Sequence, residues 1–384
     1  METIKATDPS EINDLRQPAM FKGISFSKYK KTDVKTQLEQ SLMKAKIEPA
    51  CYWTAELICA GHYADIWEIL LHYVGKYIHL GNPKLVIYLD MRYQLFRNIM
   101  EKGMYINELQ LRNNKQMRKL FAEIISTIAL SNKKHSFEPI RINRVEEFDM
   151  TQMTERLKAP SAKYAEEILL KDDPKELLIP VNEFSYNISK DRANMTTACY
   201  WIEWMIEFDN ICKKRKTPIF ADNRASIPVE HKYQKDIIWI LWDAIETRIS
   251  EINNAFISTI AKSLKSLFCI KYTTAACKKR RYLLYYAVAL TTEAIPTGIE
   301  LVSNKPTVQN VIEQIDHVYT QIKKQEENPN MDYLYSNMDK QTNFEKSVRK
   351  LEVMENLTSI TSSGIQGLYG DGLSSKDKAP RTNR

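Results

Sequence analysis

The sequence predicts an all-α protein, built from two related helical lobes with polar terminal arms. Apolar residues recur at helical spacing along most of the chain, and no segment shows the sustained alternation typical of a half-buried strand. Only 10 of the 384 residues are glycine, which phosphate-binding loops, tight hairpins and Rossmann turns all need. A tetrapeptide, Ala-Cys-Tyr-Trp, also occurs twice, at residues 50–53 and 198–201.

The repeated tetrapeptide indicates an internal duplication. Cys and Trp number only six each, so their joint recurrence is rarely expected by chance. Two further pairs of similar segments follow in the same order: residues 65–70 resemble 236–241, and residues 128–131 resemble 288–291. The order is kept while the spacing differs, as expected of two copies of one helical unit with different loops. The duplication predicts a scaffold of two related helical lobes; it does not identify a catalytic or binding activity.

The first predicted lobe covers residues 32–131 and follows a polar arm at residues 1–31. Thr32 and Asp33 are good capping residues for its first helix. Apolar spacing, with Pro, Gly and Asn at the helix ends, predicts four more helices, at about 49–60, 63–78, 84–102 and 113–131.

The rest of the chain is predicted to contain a bridge and a second lobe. Four prolines interrupt the bridge, residues 132–186, and lobe two covers residues 187–295. C-terminal helices are expected within residues 296–357, and a flexible tail rich in Ser, Gly, Lys and Arg at residues 358–384. The predicted helices lie at about 150–157, 161–170, 187–213, 229–250, 252–268, 273–292, 308–324 and 341–357.

The composition limits the class of protein. The net charge of +7 arises from 55 basic and 48 acidic residues, which permits contact with nucleic acid or an acidic partner without requiring it. The six cysteines form no C-x-x-C pair and are expected to be buried, reduced thiols of an intracellular protein. The N-terminus is too polar for a secretory signal, and no apolar run is long enough for a membrane span.

The motifs that carry catalysis in other proteins do not occur in this sequence. It contains no P-loop, nucleophile elbow, kinase motif set or H-E-x-x-H, so no catalytic, cofactor-binding or metal-binding residue is predicted and no enzyme is expected. Cys51, Cys59 and His62 come nearest to a metal site, but core thiols are the preferred interpretation. Glu203 and Glu207 are spaced as in carboxylate metal sites but lack a Glu-x-x-His partner, which favours a solvated or ion-paired helix face.

Two basic runs are the candidate contacts with a partner or with nucleic acid. The first coincides with the end of the helix predicted to finish at Lys213, where the helix dipole alone also favours cations, so that alternative stays open. The functional interpretation of both runs is contact with phosphates or an acidic partner. The candidate residues are Lys213, Lys214, Arg215, Lys216, Lys278, Lys279, Arg280 and Arg281.

Residues 30–89 resemble a block found in proteins of large nucleocytoplasmic icosahedral DNA viruses of the chlorella-virus type. The resemblance is carried by residues 46–62 (Lys-Ile-Glu-Pro-Ala-Cys-Tyr-Trp-Thr-Ala-Glu-Leu-Ile-Cys-Ala-Gly-His) and by residues 77–84 (Tyr-Ile-His-Leu-Gly-Asn-Pro-Lys). It implies a minor capsid protein that lies beneath the major capsid shell and contacts other capsid or virion proteins. It also implies a location in the virion, and in the host cytoplasm or nucleus during assembly.

The sequence therefore predicts a non-enzymatic virion structural protein that cements neighbouring capsid components through helical lobes and extended arms. The alternative is a nucleic-acid-associated transcription or replication module, because two copies of a five-helix unit are similar to a duplicated cyclin-like core. This alternative rests on analogy of fold, and no zinc ribbon precedes the lobes. An enzyme with an unrecognised helical active site is a third hypothesis.

Overall fold

The protein is helical throughout the part that is described. The structure is a computed structural model that describes residues 8–103, 105, 107–144, 148, 154–224 and 227–327. These residues contain no β-strand, only isolated bridges such as the one between Ile24 and Lys30. The all-α prediction is thus confirmed.

Lobe one consists of five α-helices whose bounds agree closely with those predicted. The third helix continues as a π-helical turn (Val74–Ile78) and a 3₁₀ turn (His79–Gly81). The helices are α1 (Lys31–Met43), α2 (Ile47–Cys59), α3 (Tyr63–Tyr73), α4 (Lys84–Lys102) and α5 (Lys115–Leu130).

The remaining described helices are α6 (Lys163–Glu166), α7 (Leu178–Ile188), α8 (Met195–Lys214), α9 (Ile238–Ile252), α10 (Ala255–Cys269), α11 (Thr274–Lys279), α12 (Arg281–Thr292) and α13 (Lys305–Lys323). Lobe two is formed by helices α7 to α12, and α13 follows it. The predicted helix at 273–292 is divided in two at Arg280, and the predicted bridge contains α7, which packs against α8.

Asparagine side chains begin four of these helices. The Oδ1 atoms of Asn114, Asn194, Asn254 and Asn304 accept hydrogen bonds from backbone N–H groups in the first turns of α5, α8, α10 and α13. Such bonds satisfy donors that have no partner within the helix. Local sequence therefore fixes these starting points.

Each lobe is organised around one buried helix. In lobe one α5 contacts α2 and α4, and in lobe two α12 contacts α8 and α10. Every residue of α12 from Tyr282 to Thr291 is buried, as expected of a helix that is apolar on nearly all sides. In addition, α1 packs on α2 as α7 packs on α8. The packing pairs follow the same order in both lobes, while the duplication itself stays a prediction.

The two lobes pack against each other within one compact unit. Helix α4 lies against α10, where the Ser266 hydroxyl donates to Asp90 Oδ1 at 2.7 Å. Helix α12 lies against the turns at residues 74–81. The sequence left open whether the lobes pack together, because apolar spacing predicts which face of a helix is buried but not which other helix covers that face.

The last described helix, α13, returns to lobe one, where it packs on α5 and α2. Arg118 of α5 is 2% exposed and lies over the ring of Tyr319, with its guanidinium carbon 3.9 Å from the ring centroid. Its guanidinium donates to the Ser10 carbonyl at 3.0 Å, the Arg112 carbonyl at 2.7 Å and Asp316 Oδ1 at 3.1 Å. One buried charge therefore joins α13 and the N-terminal segment to lobe one.

The predicted polar arm at residues 1–31 needs correction over its described part. Ile12, Phe21 and Phe26 are buried in the core of lobe one. The carboxylate of Glu56, itself buried, accepts from the Ser25 hydroxyl at 2.7 Å and from the Ser27 backbone N–H at 2.9 Å. Three buried apolar side chains and the carboxylate of Glu56 thus hold a largely polar segment against lobe one. The predicted helix at 341–357 and the tail at 358–384 lie outside the described residues.

His79 is a buried titratable group where the lobes meet. Its ring stacks on Phe137 at a centroid distance of 4.0 Å, and its Nε2 donates to the His135 carbonyl at 2.7 Å. Burial lowers the pKa of His79 to about 4, and the neighbouring Lys134 also acts against protonation. The neutral imidazole is therefore part of the folded state.

The stability of the protein should fall in mildly acidic solution because of His79. The unfolded chain binds a proton there near the ordinary pKa of 6.5, whereas the folded protein binds it only near 4, so stability is lost as the pH decreases through this window. Between pH 7 and pH 5 the wild type should lose about 2 kcal/mol more free energy of unfolding than His79→Gln. Urea titrations at both pH values measure this difference. His231→Gln, at an exposed histidine away from this contact, is the control that should keep the wild-type response; an identical response in His79→Gln would contradict the assignment.

Candidate partner-binding groove

The first predicted basic run lies at the C-terminal end of α8. The Lys213 ammonium donates to Asp209 Oδ2 at 2.6 Å, so its charge is compensated within the helix. Lys214, Arg215 and Lys216 are exposed and form no ion pair within the described part of the chain. These three cations remain candidate contacts with a partner, although the helix dipole also favours them there.

The second predicted basic run is divided by the structure into three environments. Lys278 and Lys279 are exposed at the end of α11, and neither forms an ion pair with another described residue. Arg280 is buried, and Arg281 begins α12 half-buried. Arg280, one of the four candidate contacts, is thus buried and bonded inside the protein, and Lys278, Lys279 and Arg281 remain the candidates of this run that the solvent reaches.

The buried Arg280 guanidinium joins the two lobes. Its Nη1 donates to the carbonyl oxygens of Phe268 at 2.7 Å and Ile270 at 2.6 Å, which lie at the C-terminal end of α10. Its Nε and Nη2 donate to the carboxylate of Glu68 on α3 of lobe one. The side chain is 3% exposed, so these bonds replace water almost completely.

Arg281 is held by a second buried carboxylate. Glu203 of α8 accepts from Arg281 Nη1 at 2.9 Å and from the Tyr285 hydroxyl at 2.9 Å. Burial raises the pKa of Glu203, although Arg281 acts in the opposite direction. Glu207, the other member of the predicted carboxylate pair, lies 2.5 Å from Arg144. The two carboxylates therefore have separate cationic partners.

Lys278 and Lys279 line an open groove between the lobes, which we call the interlobe groove. Its volume is about 670 Å³. One wall comes from α1 and α3 of lobe one, and the other comes from α11 and α12 of lobe two. The groove is lined by Thr32, Lys35, Thr36, Glu39, Glu68, Ile69, His72, Pro139, Lys278, Lys279, Arg281 and Tyr282.

The charged side chains on the wall of lobe one have partners of their own. Glu68 is paired with Arg280, and Glu39 Oε1 lies 3.2 Å from His72 Nδ1. Lys35 is paired with Asp65, which lies beside the groove on α3. The cations of the groove that have no ion-pair partner among the described residues are therefore the two lysines on the opposite wall.

Sequence analysis identified one wall of this groove and missed the other. The residues of the missed wall, such as Lys35, Glu39 and His72, lie far from Lys278 in the chain and belong to no motif. No periodicity within a helix can show which distant helix forms the opposite wall.

The cysteines lie in the core, as their apolar surroundings predicted. All six are buried and none is in a disulfide. Burial raises the pKa of Cys51, Cys59 and Cys269 to about 12, and it also raises the pKa of Cys199 and Cys277. Among the described residues, no three His, Cys, Asp or Glu side chains gather where a metal ion could bind. No helix in the described ranges is both long and apolar enough to cross a membrane.

Comparisons with protein-family models, with curated proteins and with solved structures find no match for this chain.

Removal of the Arg280 guanidinium should destabilise the protein strongly. In Arg280→Met the carbonyls of Phe268 and Ile270 lose their donor and Glu68 loses its counter-charge, so the free energy of unfolding should fall by about 3 kcal/mol. Urea denaturation measures the change. Lys279→Met, at the exposed neighbour, is the matched control and should shift it by less than about 0.5 kcal/mol. Equal effects of the two substitutions would contradict the structural role of Arg280.

The thiols should resist alkylation while the protein is folded. Only the thiolate reacts, and a thiol with a pKa near 12 is almost entirely protonated at neutral pH. N-ethylmaleimide should label the native protein slowly, with Cys212, which is 9% exposed, modified first. All six should react rapidly in urea, as peptide mass spectrometry would show. Rapid labelling of Cys51 or Cys59 in the native protein would contradict the described core.

Proposed function

We propose that this protein is a non-enzymatic structural protein of a virion, a minor capsid protein that cements neighbouring capsid components. The observation that carries the proposal is the joining of both lobes and α13 into one compact unit by buried arginines. A cementing protein has to hold its partners at fixed distances, and buried, fully paired charges fix the packing of the helices that carry them. The resemblance of residues 30–89 to proteins of large icosahedral DNA viruses supports the same role.

The proposed mechanism is adhesion to other capsid or virion proteins. Exposed apolar side chains such as Met91 and Leu95 on α4 supply surface that association can bury. Lys278 and Lys279 supply positive charge in the interlobe groove. The proposed location is the capsid of the virion, reached after assembly in the host cytoplasm or nucleus.

The second candidate function is a nucleic-acid-associated transcription or replication module. It is favoured by the exposed cations of the two basic runs, since Lys214, Arg215, Lys216, Lys278 and Lys279 have no ion-pair partner among the described residues. Such cations could contact phosphates, and binding would then weaken steeply as salt increases.

The abundance of the protein in virus particles separates the two functions. Quantitative mass spectrometry of purified virions should find many copies in the shell fraction, at a constant ratio to the major capsid protein. A few copies that accompany polymerase subunits or the genome would contradict the capsid role and favour the second function.

A further inference from the structure

We propose that the interlobe groove binds an acidic segment of a partner protein, one in which Asp or Glu residues alternate with apolar residues. This inference rests on the proposed function, because it names the kind of partner that the structural protein would hold. Four observations support it: the exposed lysines of one wall, the paired carboxylates of the other, the small apolar surface between them and the fixed separation of the walls.

The wall of lobe two attracts carboxylates. Lys278 and Lys279 are exposed, and no described carboxylate pairs with them, although the groove itself contains Glu39 and Glu68. Those two carboxylates belong to the opposite wall and are held by His72 and by Arg280. An incoming Asp or Glu side chain therefore meets two exposed ammonium groups, of which that of Lys278 also acts electrostatically on the buried Glu203.

A small apolar surface lies between the walls. Ile69, Pro139 and Tyr282 line it, of which Pro139 is exposed, whereas Ile69 and Tyr282 are only 4% and 7% exposed. The ammonium of Lys76 lies 5.4 Å from the ring centroid of Tyr282, which adds positive charge at the edge. An extended peptide presents alternate side chains on opposite sides. Carboxylates directed towards α11 would thus leave the intervening apolar side chains against the surface between the walls.

The same geometry disfavours nucleic acid in the groove. A DNA duplex carries one negative charge for roughly every 1.7 Å of its axis and needs a continuous basic surface. Here the carboxylates on the wall formed by α1 and α3 already have partners, Glu39 in His72 and Glu68 in Arg280, and Lys35 of the same wall is paired with Asp65. A polymer charged along both edges would find no unpaired cation among the described residues of this wall, whereas a peptide charged along one edge needs none there.

The walls are kept apart by the contact beside them. Arg280 follows Lys279 in the chain and is bonded to Glu68, a residue of the opposite wall. The groove therefore exists before the partner binds, which reduces the entropy lost on binding.

The test is the binding of a fluorescein-labelled peptide of alternating Glu and Leu residues to the full chain, followed by fluorescence anisotropy. In Lys278→Glu/Lys279→Glu the dissociation constant should rise about ten-fold or more, because two attractions become repulsions. Lys214→Glu/Lys216→Glu makes the same change in net charge outside the groove and should leave the dissociation constant within about two-fold of the wild-type value. Circular dichroism and the urea midpoint establish that both variants are folded.

Three results would overturn the inference. The first is that the peptide does not bind, and the second is that the two double variants weaken peptide binding equally. The third is that a DNA duplex binds more tightly than the peptide and that this binding is lost only in Lys278→Glu/Lys279→Glu. The last result would assign the groove to nucleic acid. The two proposals can fail separately. If the protein is abundant in the capsid but does not bind the peptide, only the proposed class of partner is wrong. If the protein binds the peptide but is scarce in the capsid, only the proposed capsid role is wrong.

Discussion

The buried guanidinium of Arg280 is the contact on which the arrangement of the two lobes depends. A charge removed from water is stable only where its partners replace the lost solvation. Arg280 finds those partners in both lobes, in Glu68 of α3 and in the carbonyl oxygens at the end of α10. These bonds fix the point at which α11 ends and α12 begins. They thereby place Lys278 and Lys279 opposite α1 and α3, so the interlobe groove is a consequence of the ion pair beside it.

A second buried arginine, Arg118, joins two further segments to lobe one. It donates hydrogen bonds to Ser10 of the N-terminal segment and to Asp316 of α13, and it lies over the ring of Tyr319 on the same helix. Because α13 follows lobe two in the chain but packs on lobe one, it adds a second connection between the lobes. A body fixed in this way loses little internal freedom on association, which suits a protein proposed to hold neighbours at fixed distances.

Sequence reasoning predicted the helices well and their partners poorly. The bounds of α4 agree with the prediction because Pro83 and Gly103 stop the helix locally, and Asn114 fixes the start of α5 in the same way. By contrast, the packing of Phe21 and Phe26 and the burial of Arg280 depend on residues distant in sequence. A run of four basic residues looks uniform in the sequence, although one of its members lies in the interior. The groove was missed for the same reason, since its two walls come from different lobes.

The central claim is that both lobes and α13 form one cooperative unit, and differential scanning calorimetry of the full chain tests it most directly. We expect one unfolding transition, with a van't Hoff enthalpy equal to the calorimetric enthalpy. Two resolved transitions, or a calorimetric enthalpy well above the van't Hoff value, would show that the lobes unfold independently. That result would contradict the role assigned to Arg280 and Arg118, and it would remove the physical basis for a groove of fixed width between the lobes.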